Sequence, residues 1–336
     1  MNINNDKNKQ FLDVNEQIEL LKERNLNFIT VDKKNIESKF KSYLLCHNYQ
    51  NFVNGYNDYF FKNFNRNTND YAKNNADGII SLFNFDRRMS QLVLSNILNI
   101  ERHFSNCFIT AVCKFKRNYM DGKIFALKKN DFDLLFDLSS EENKIKYNYI
   151  KEKWNQPFEK NLNNNLIKKY LNNKNEIPLW SICIFWSFDF LMNFFQILNI
   201  KIKNNILKIM FSNKIKINVS QFYSIMVVIK NIRNRICHNN VFYNFKCRSK
   251  ELSNFLQANG LNSSRIRIFE IIYIIEKFNF KISLAESKLL ELIKNELFNK
   301  IENNPNILEK IKSKILLSLG FKKYNKKLIN SVKYKA

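Results

Sequence analysis

Turn-forming residues are so scarce in this chain, five glycines and three prolines in 336 residues, that few folds remain open to it. A protein built of short strands needs a turn every few residues, and tight turns draw heavily on glycine and proline. Long helices need far fewer reversals. With 45% of its residues hydrophobic, the chain has ample material for a sizeable core. The expected fold class is therefore all-α, a helical bundle.

Apolar periodicity places the helices. From Asp86 to about Lys116 the residues Met89, Val93, Ile100, Phe104 and Phe108 recur at helical spacing, a stripe of about eight turns that predicts the longest helix. An opening helix is expected over Asp13 to Arg24 and a second over Lys33 to Cys46, with Thr30 and Asp32 as caps. Residues His47 to Asp77 read as loop with short helices. A Lys/Asn-rich stretch from about Met120 to Asn175 holds weaker helices at Glu141 to Trp154 and Phe158 to Tyr170; it reads as a basic insertion or a nucleic-acid-facing subdomain. Further helices are predicted after Pro178, over Val219 to His238, and near Ser264 to Phe278, Ser283 to Phe298 and Asn306 to Leu319, with Gly320 as a C-cap. The predicted division is 1–120 N-terminal helical region, 121–176 insertion, 177–320 helical domain and 321–336 basic tail.

The chemistry concentrates at the end of one helix. At about 100° per residue, Phe222, Ile225, Ile229, Ile232 and Ile236 form a core-facing stripe on the Val219 to His238 helix, while Tyr223, Val227, Asn234 and His238 lie on nearly the opposite side, with Arg233 between. Imidazole titrates near neutral pH and moves protons; guanidinium stays charged and binds phosphate through a fork of donors. Asn234, one turn before His238, is placed to hold the imidazole in one tautomer. Arg233, Asn234 and His238 are thus the candidate catalytic residues. An apolar face ending in an amide and an imidazole predicts a protein–protein surface, with a second copy of the chain as the simplest partner. The competing reading makes His238 a helix-end histidine that meets the C-terminal dipole, as Arg233 and Arg235 would.

An Arg-polar-x3-His string closing a helix resembles the R-x4-6-H motif of HEPN ribonucleases. More narrowly, the chain resembles the Abi-like abortive-infection family of bacterial phage defence (AbiD/AbiF type). The resemblance is carried by Leu20, Leu21 and Arg24, the Gly55-Tyr56 turn, Phe85-Asp86-Arg87-Arg88, Ile100-Glu101-Arg102, Pro178-Leu179-Trp180 and the Arg-Asn…His string, in that order along the chain. It implies an HEPN-type bundle with extra N-terminal helices and a metal-independent endoribonuclease that leaves a 2′,3′-cyclic phosphate. It also implies a phage-defence or toxin–antitoxin role and a small structured noncoding RNA as partner. The alternative is a non-catalytic RNA-binding protein that uses the same bundle as a dimer and RNA platform.

Composition agrees with an RNA partner. Lys and Arg number 55 against 30 Asp and Glu, a formal charge of +25, which attracts nucleic acid even where AT-rich coding contributes to the lysine count. Candidate RNA contacts are Arg87, Arg88, Arg235 and the tail lysines Lys322, Lys323, Lys326 and Lys327. Neither the six cysteines nor the three histidines cluster at ligand spacing, so no metal and no cofactor is expected. The cysteines read as reduced, mostly buried thiols of a cytoplasmic protein. His47, His103 and a Glu101–Arg102 ion pair between helices read as structural. Leu179 to Leu198 approaches the length of a membrane span, but Asp189 at its centre argues for a core or interface helix and against a membrane partner.

Overall fold

The computed structural model describes residues 11–68, 70–119, 133–153, 165, 168, 180, 185–212, 214–261, 263, 265–279 and 289–321. Its helices are α1 (Val14–Glu23), α2 (Glu37–His47), α3 (Ala76–Tyr119), α4 (Glu141–Lys153), α5 (Phe188–Ile197), α6 (Ile200–Phe211), α7 (Val219–Cys237), α8 (Lys250–Ala258), α9 (Ile268–Asn279), α10 (Leu289–Leu297) and α11 (Glu309–Leu319). The only strands among the described residues are β1 (Lys246–Cys247) and β2 (Ile266–Arg267), paired antiparallel. The fold class is all-α.

Helix α3 is the spine. Its 44 residues span roughly 65 Å at 1.5 Å per residue, and α6, α7, α9 and α10 pack along it. It begins ten residues before the predicted Asp86, because Asn75 caps it by accepting the Asp77 N–H at 2.9 Å. Phenylalanines lock α7 onto this spine: buried Phe104 of α3 meets Phe222 of α7 at 5.6 Å between ring centres, and Phe222 also meets Phe211 of α6 and Phe278 of α9. Such ring pairs contribute about 0.5–1.5 kcal/mol each beyond the area they bury.

Three expectations need correction. Helix α2 starts at Glu37, not Lys33, because Lys33 has φ 58° and closes a Thr30–Lys34 turn instead of a first helical turn. Leu179 to Leu198 is not one helix: Ser187, in extended conformation, caps α5 by accepting the Phe190 N–H, and the helix runs only from Phe188 to Ile197. Among the described residues no helix is long and apolar enough to cross a membrane. Of the five described cysteines only Cys107 is buried, while Cys46 and Cys237 are exposed. The predicted helix over 158–170 lies almost wholly outside the described residues, as do Cys183 and the tail lysines Lys322, Lys323, Lys326 and Lys327.

Candidate functional site

Both ends of α7 are capped. Asn218 accepts the Gln221 N–H at 2.8 Å while Gln221 Oε1 accepts the Asn218 N–H at 3.1 Å, a reciprocal capping box. At the other end His238 is the C-cap residue, its N–H donating to Asn234 O at 3.0 Å. Asn239 follows at φ 55°; its N–H donates to Ile236 O and the Asn240 N–H to Arg235 O, each at 3.0 Å. These paired bonds around a left-handed asparagine make a Schellman turn, which ends the helix at one defined residue and leaves His238 exposed on its rim.

The turn beyond His238 is clamped from α3. Fully buried Asp86 accepts the backbone N–H of Phe242 at 3.0 Å, that of Tyr243 at 2.6 Å and the Tyr56 hydroxyl at 2.6 Å. Burial pushes the Asp86 carboxyl up, opposed by Tyr56, the Phe242 N–H and Arg87. Arg87 Nη2 donates to Tyr56 Oη at 3.0 Å, Asp86 Oδ2 at 3.2 Å and Asn240 O at 3.0 Å. Gly55 completes the seat: a Cβ there would stand 2.7 Å from Val241 Cγ2. The Gly55-Tyr56 and Asp86-Arg87 strings therefore meet, at one corner, the turn that follows the Arg-Asn…His string, although Gly55 and Tyr243 lie 188 positions apart in the chain's numbering (243 less 55).

Arg233 and Asn234 lie one turn before His238, both half-buried. Arg233 Nη1 donates to Asn234 Oδ1 at 3.1 Å, and its Nε stands 3.7 Å from Glu101 Oε1 of α3. The Asn234 side chain thus engages Arg233; no hydrogen bond joins it to the His238 ring among the described residues. Burial raises the Glu101 carboxyl, the Arg233 charge opposes this, and Asp189 adds to it. Asp189 itself pairs with Lys230 at 2.9 Å. Charges of both signs therefore alternate across α3, α5 and α7 beside the motif.

The other candidates sit differently. Arg87 is tied into the clamp, Arg88 pairs with Glu296 at 3.4 Å, and Arg235 donates to Val241 O and, at 3.2 Å, to Asn244 Oδ1. Tyr223 donates to Gln196 Oε1 at 2.9 Å, and both Tyr223 and Val227 pack half-buried against the core. On the C-terminal half of α7, Asn231, Cys237 and His238 are exposed. His103 has its Nε2 3.3 Å from Met210 O, which links α3 to α6. His47 packs on Phe83 with ring centres 4.7 Å apart; burial, then the Arg87 charge, lower its pKa.

Sequence reasoning missed the roles of Asp86, Tyr56 and Glu101 around the motif. An acid inside an otherwise apolar stripe, as Asp86 is between Phe85 and Met89, was the available signal, since a buried carboxylate must find donors.

No curated protein and no solved structure matches the chain. The Abi-like protein family does match, over residues 42–244, a span that includes Gly55, Asp86, Glu101, Arg233 and His238; the chain belongs to the Abi-like family.

Proposed function

We propose that the chain is a metal-independent endoribonuclease of the HEPN type, acting in abortive infection or as a toxin, with His238 and Arg233 as its catalytic pair. The observation that carries this reading is the contrast at the end of α7. Asp86, Arg87 and the Schellman turn fix the backbone around His238, while the imidazole itself stays exposed and makes no side-chain hydrogen bond among the described residues. A histidine kept only to satisfy a helix end would not need its turn clamped from another helix.

Two copies of α7 related by a two-fold axis would supply a composite site. One His238 takes the proton of the ribose 2′-OH; the resulting alkoxide attacks phosphorus, the P–O5′ bond breaks, and the second His238 protonates the departing 5′-oxygen. The products are a 2′,3′-cyclic phosphate and a 5′-hydroxyl. Each proton transfer accounts for about 10²–10⁴-fold in rate. Arg233 offsets the charge that builds on the phosphoryl oxygens, an electrostatic contribution often larger than either transfer. The exposed residues at the C-terminal end of α7, Asn231, Cys237 and His238, support that face as the dimer contact. The net charge of +25 supports a structured noncoding RNA as a further partner. Membership of the Abi-like family supports the defence role.

The test is to purify the protein, sequence the RNA that accompanies it, and map new 5′-hydroxyl ends after incubation with total RNA. Recurrent cleavage positions that vanish in His238→Ala are expected; an RNA population without new ends would favour a non-catalytic RNA platform.

A further inference from the structure

The contact between Glu101 and Arg233 is unlike an ordinary structural ion pair. Nε and Oε1 lie 3.7 Å apart, too far for a hydrogen bond, yet both atoms are buried and neither has a hydrogen-bond partner. A pair kept only to join α3 to α7 would be expected to close, since buried donors and acceptors left unmade are costly. The two side chains are also unequal: Glu101 is 14% exposed and Arg233 38%. The carboxylate is therefore the inner member of the pair, and the guanidinium is the outer one.

The guanidinium is divided by its neighbours. Glu101 stands at its Nε edge, Asn234 Oδ1 accepts from Nη1 at 3.1 Å, and Nη2 has no partner among the described residues. With Nε facing the Glu101 charge and Nη1 hydrogen-bonded to Asn234, the Nη2 edge of the rigid plane is left for an anion. Lys230, one turn earlier on α7, does not compete for Glu101, because it is paired with Asp189 at 2.9 Å. The other charged group that faces Glu101 is Asp189, of like sign, which leaves Arg233 as the countercharge.

We propose that Glu101 is a positioning residue: it holds the inner edge of the Arg233 guanidinium so that the Nη2 edge is presented to an RNA phosphate beside His238. This rests on the ribonuclease reading for its consequence in rate, but not for its geometry. Glu101 touches neither the phosphate nor the ribose; it acts through Arg233.

The test joins a structural and a kinetic readout in Glu101→Gln and Glu101→Ala, with thermal unfolding confirming that each variant is folded. The Arg233 Nε–H resonance, assigned by its loss in Arg233→Lys, should shift in Glu101→Gln and exchange faster with water. In RNA cleavage kcat should fall about 10- to 100-fold with KM within about twofold, the pattern of an interaction made chiefly in the transition state. Glu101→Gln combined with Arg233→Ala should be no slower than Arg233→Ala alone, because the two residues act as one unit. An Arg233 resonance unchanged in both shift and exchange in Glu101→Gln overturns the proposal whatever the cleavage data show. Full additivity of the two substitutions in kcat also overturns it. A resonance that shifts in Glu101→Gln, together with a wild-type protein that cleaves no RNA, supports the positioning and counts against the ribonuclease reading, so the two failures are separable.

Discussion

Asp86 Oδ1 accepts the backbone N–H of Tyr243 at 2.6 Å, across 157 positions of sequence. With the bonds from Phe242 and Tyr56, this buried carboxylate sets where the chain turns after His238, so the geometry at the end of α7 is decided on α3. Asp86→Ala would strand two backbone donors, the Tyr56 hydroxyl and the Arg87 charge. Breaking a buried pair typically costs about 3–5 kcal/mol, and urea unfolding should show a loss in that range. A loss below about 1 kcal/mol would mean the clamp relaxes without it.

Gly55 is needed for closeness rather than for an unusual backbone angle, since its φ is −71°. Gly55→Ala places a methyl 2.7 Å from Val241 Cγ2 and 3.0 Å from Asn51 O, and should cost about 1–3 kcal/mol. Val241→Ala makes room for it. A double-mutant cycle should therefore give a favourable coupling of at least about 0.5 kcal/mol; strict additivity would show that the turn does not seat on Gly55.

Glu276 supplies a pH signature. It accepts the Leu290 N–H at 2.6 Å, joining α9 to α10, and burial raises its pKa to about 7. The folded state thus holds the proton more tightly than the unfolded chain. Its stabilisation is complete below the ordinary glutamate value and is lost as pH rises through about 7. Glu276→Gln keeps an acceptor and removes the titration. The variant should match wild type near pH 4 and exceed it at pH 8 by on the order of 1–3 kcal/mol. Parallel stability–pH curves for the two proteins would refute this.

Much of the site's helix was legible in the sequence. The spacing of Phe222 and the isoleucines predicts α7 to within one residue of its observed end, because periodicity is local. What lay beyond reach was long-range. Arg87 reads as a surface cation, but its partner Asn240 is 153 positions away. Likewise, nothing near Glu101 in sequence points to Arg233. Helices α6 and α8 were not anticipated: each is short, the α6 cap Asn199 interrupts an apolar run between Leu198 and Ile200, and the α8 cap Ser249 sits among Arg248, Lys250 and Glu251, which masks its start signal. Lys33 and Ser187 misled for a related reason, since a single backbone conformation breaks a run that composition alone would continue.

RNA affinity should depend steeply on salt. Each phosphate neutralised on a single strand gives a slope of about −0.7 in log affinity against log salt. Replacing Lys322, Lys323, Lys326 and Lys327 together with alanine should weaken binding and flatten the slope without changing the rate of bound RNA cleavage. Unchanged affinity and slope would show that the tail lysines contact no RNA.

His238 and Arg233 carry the proposed chemistry. The most direct measurement is single-turnover cleavage of a short RNA that needs no magnesium to fold, in excess EDTA, by wild type, His238→Ala and Arg233→Ala, with helicity checked by circular dichroism. Wild type should cleave to a 2′,3′-cyclic phosphate and a 5′-hydroxyl, and each variant should be slower by at least about 100-fold while remaining folded. Cleavage that survives both substitutions, or that appears only when a divalent metal is restored, would contradict the proposed chemistry.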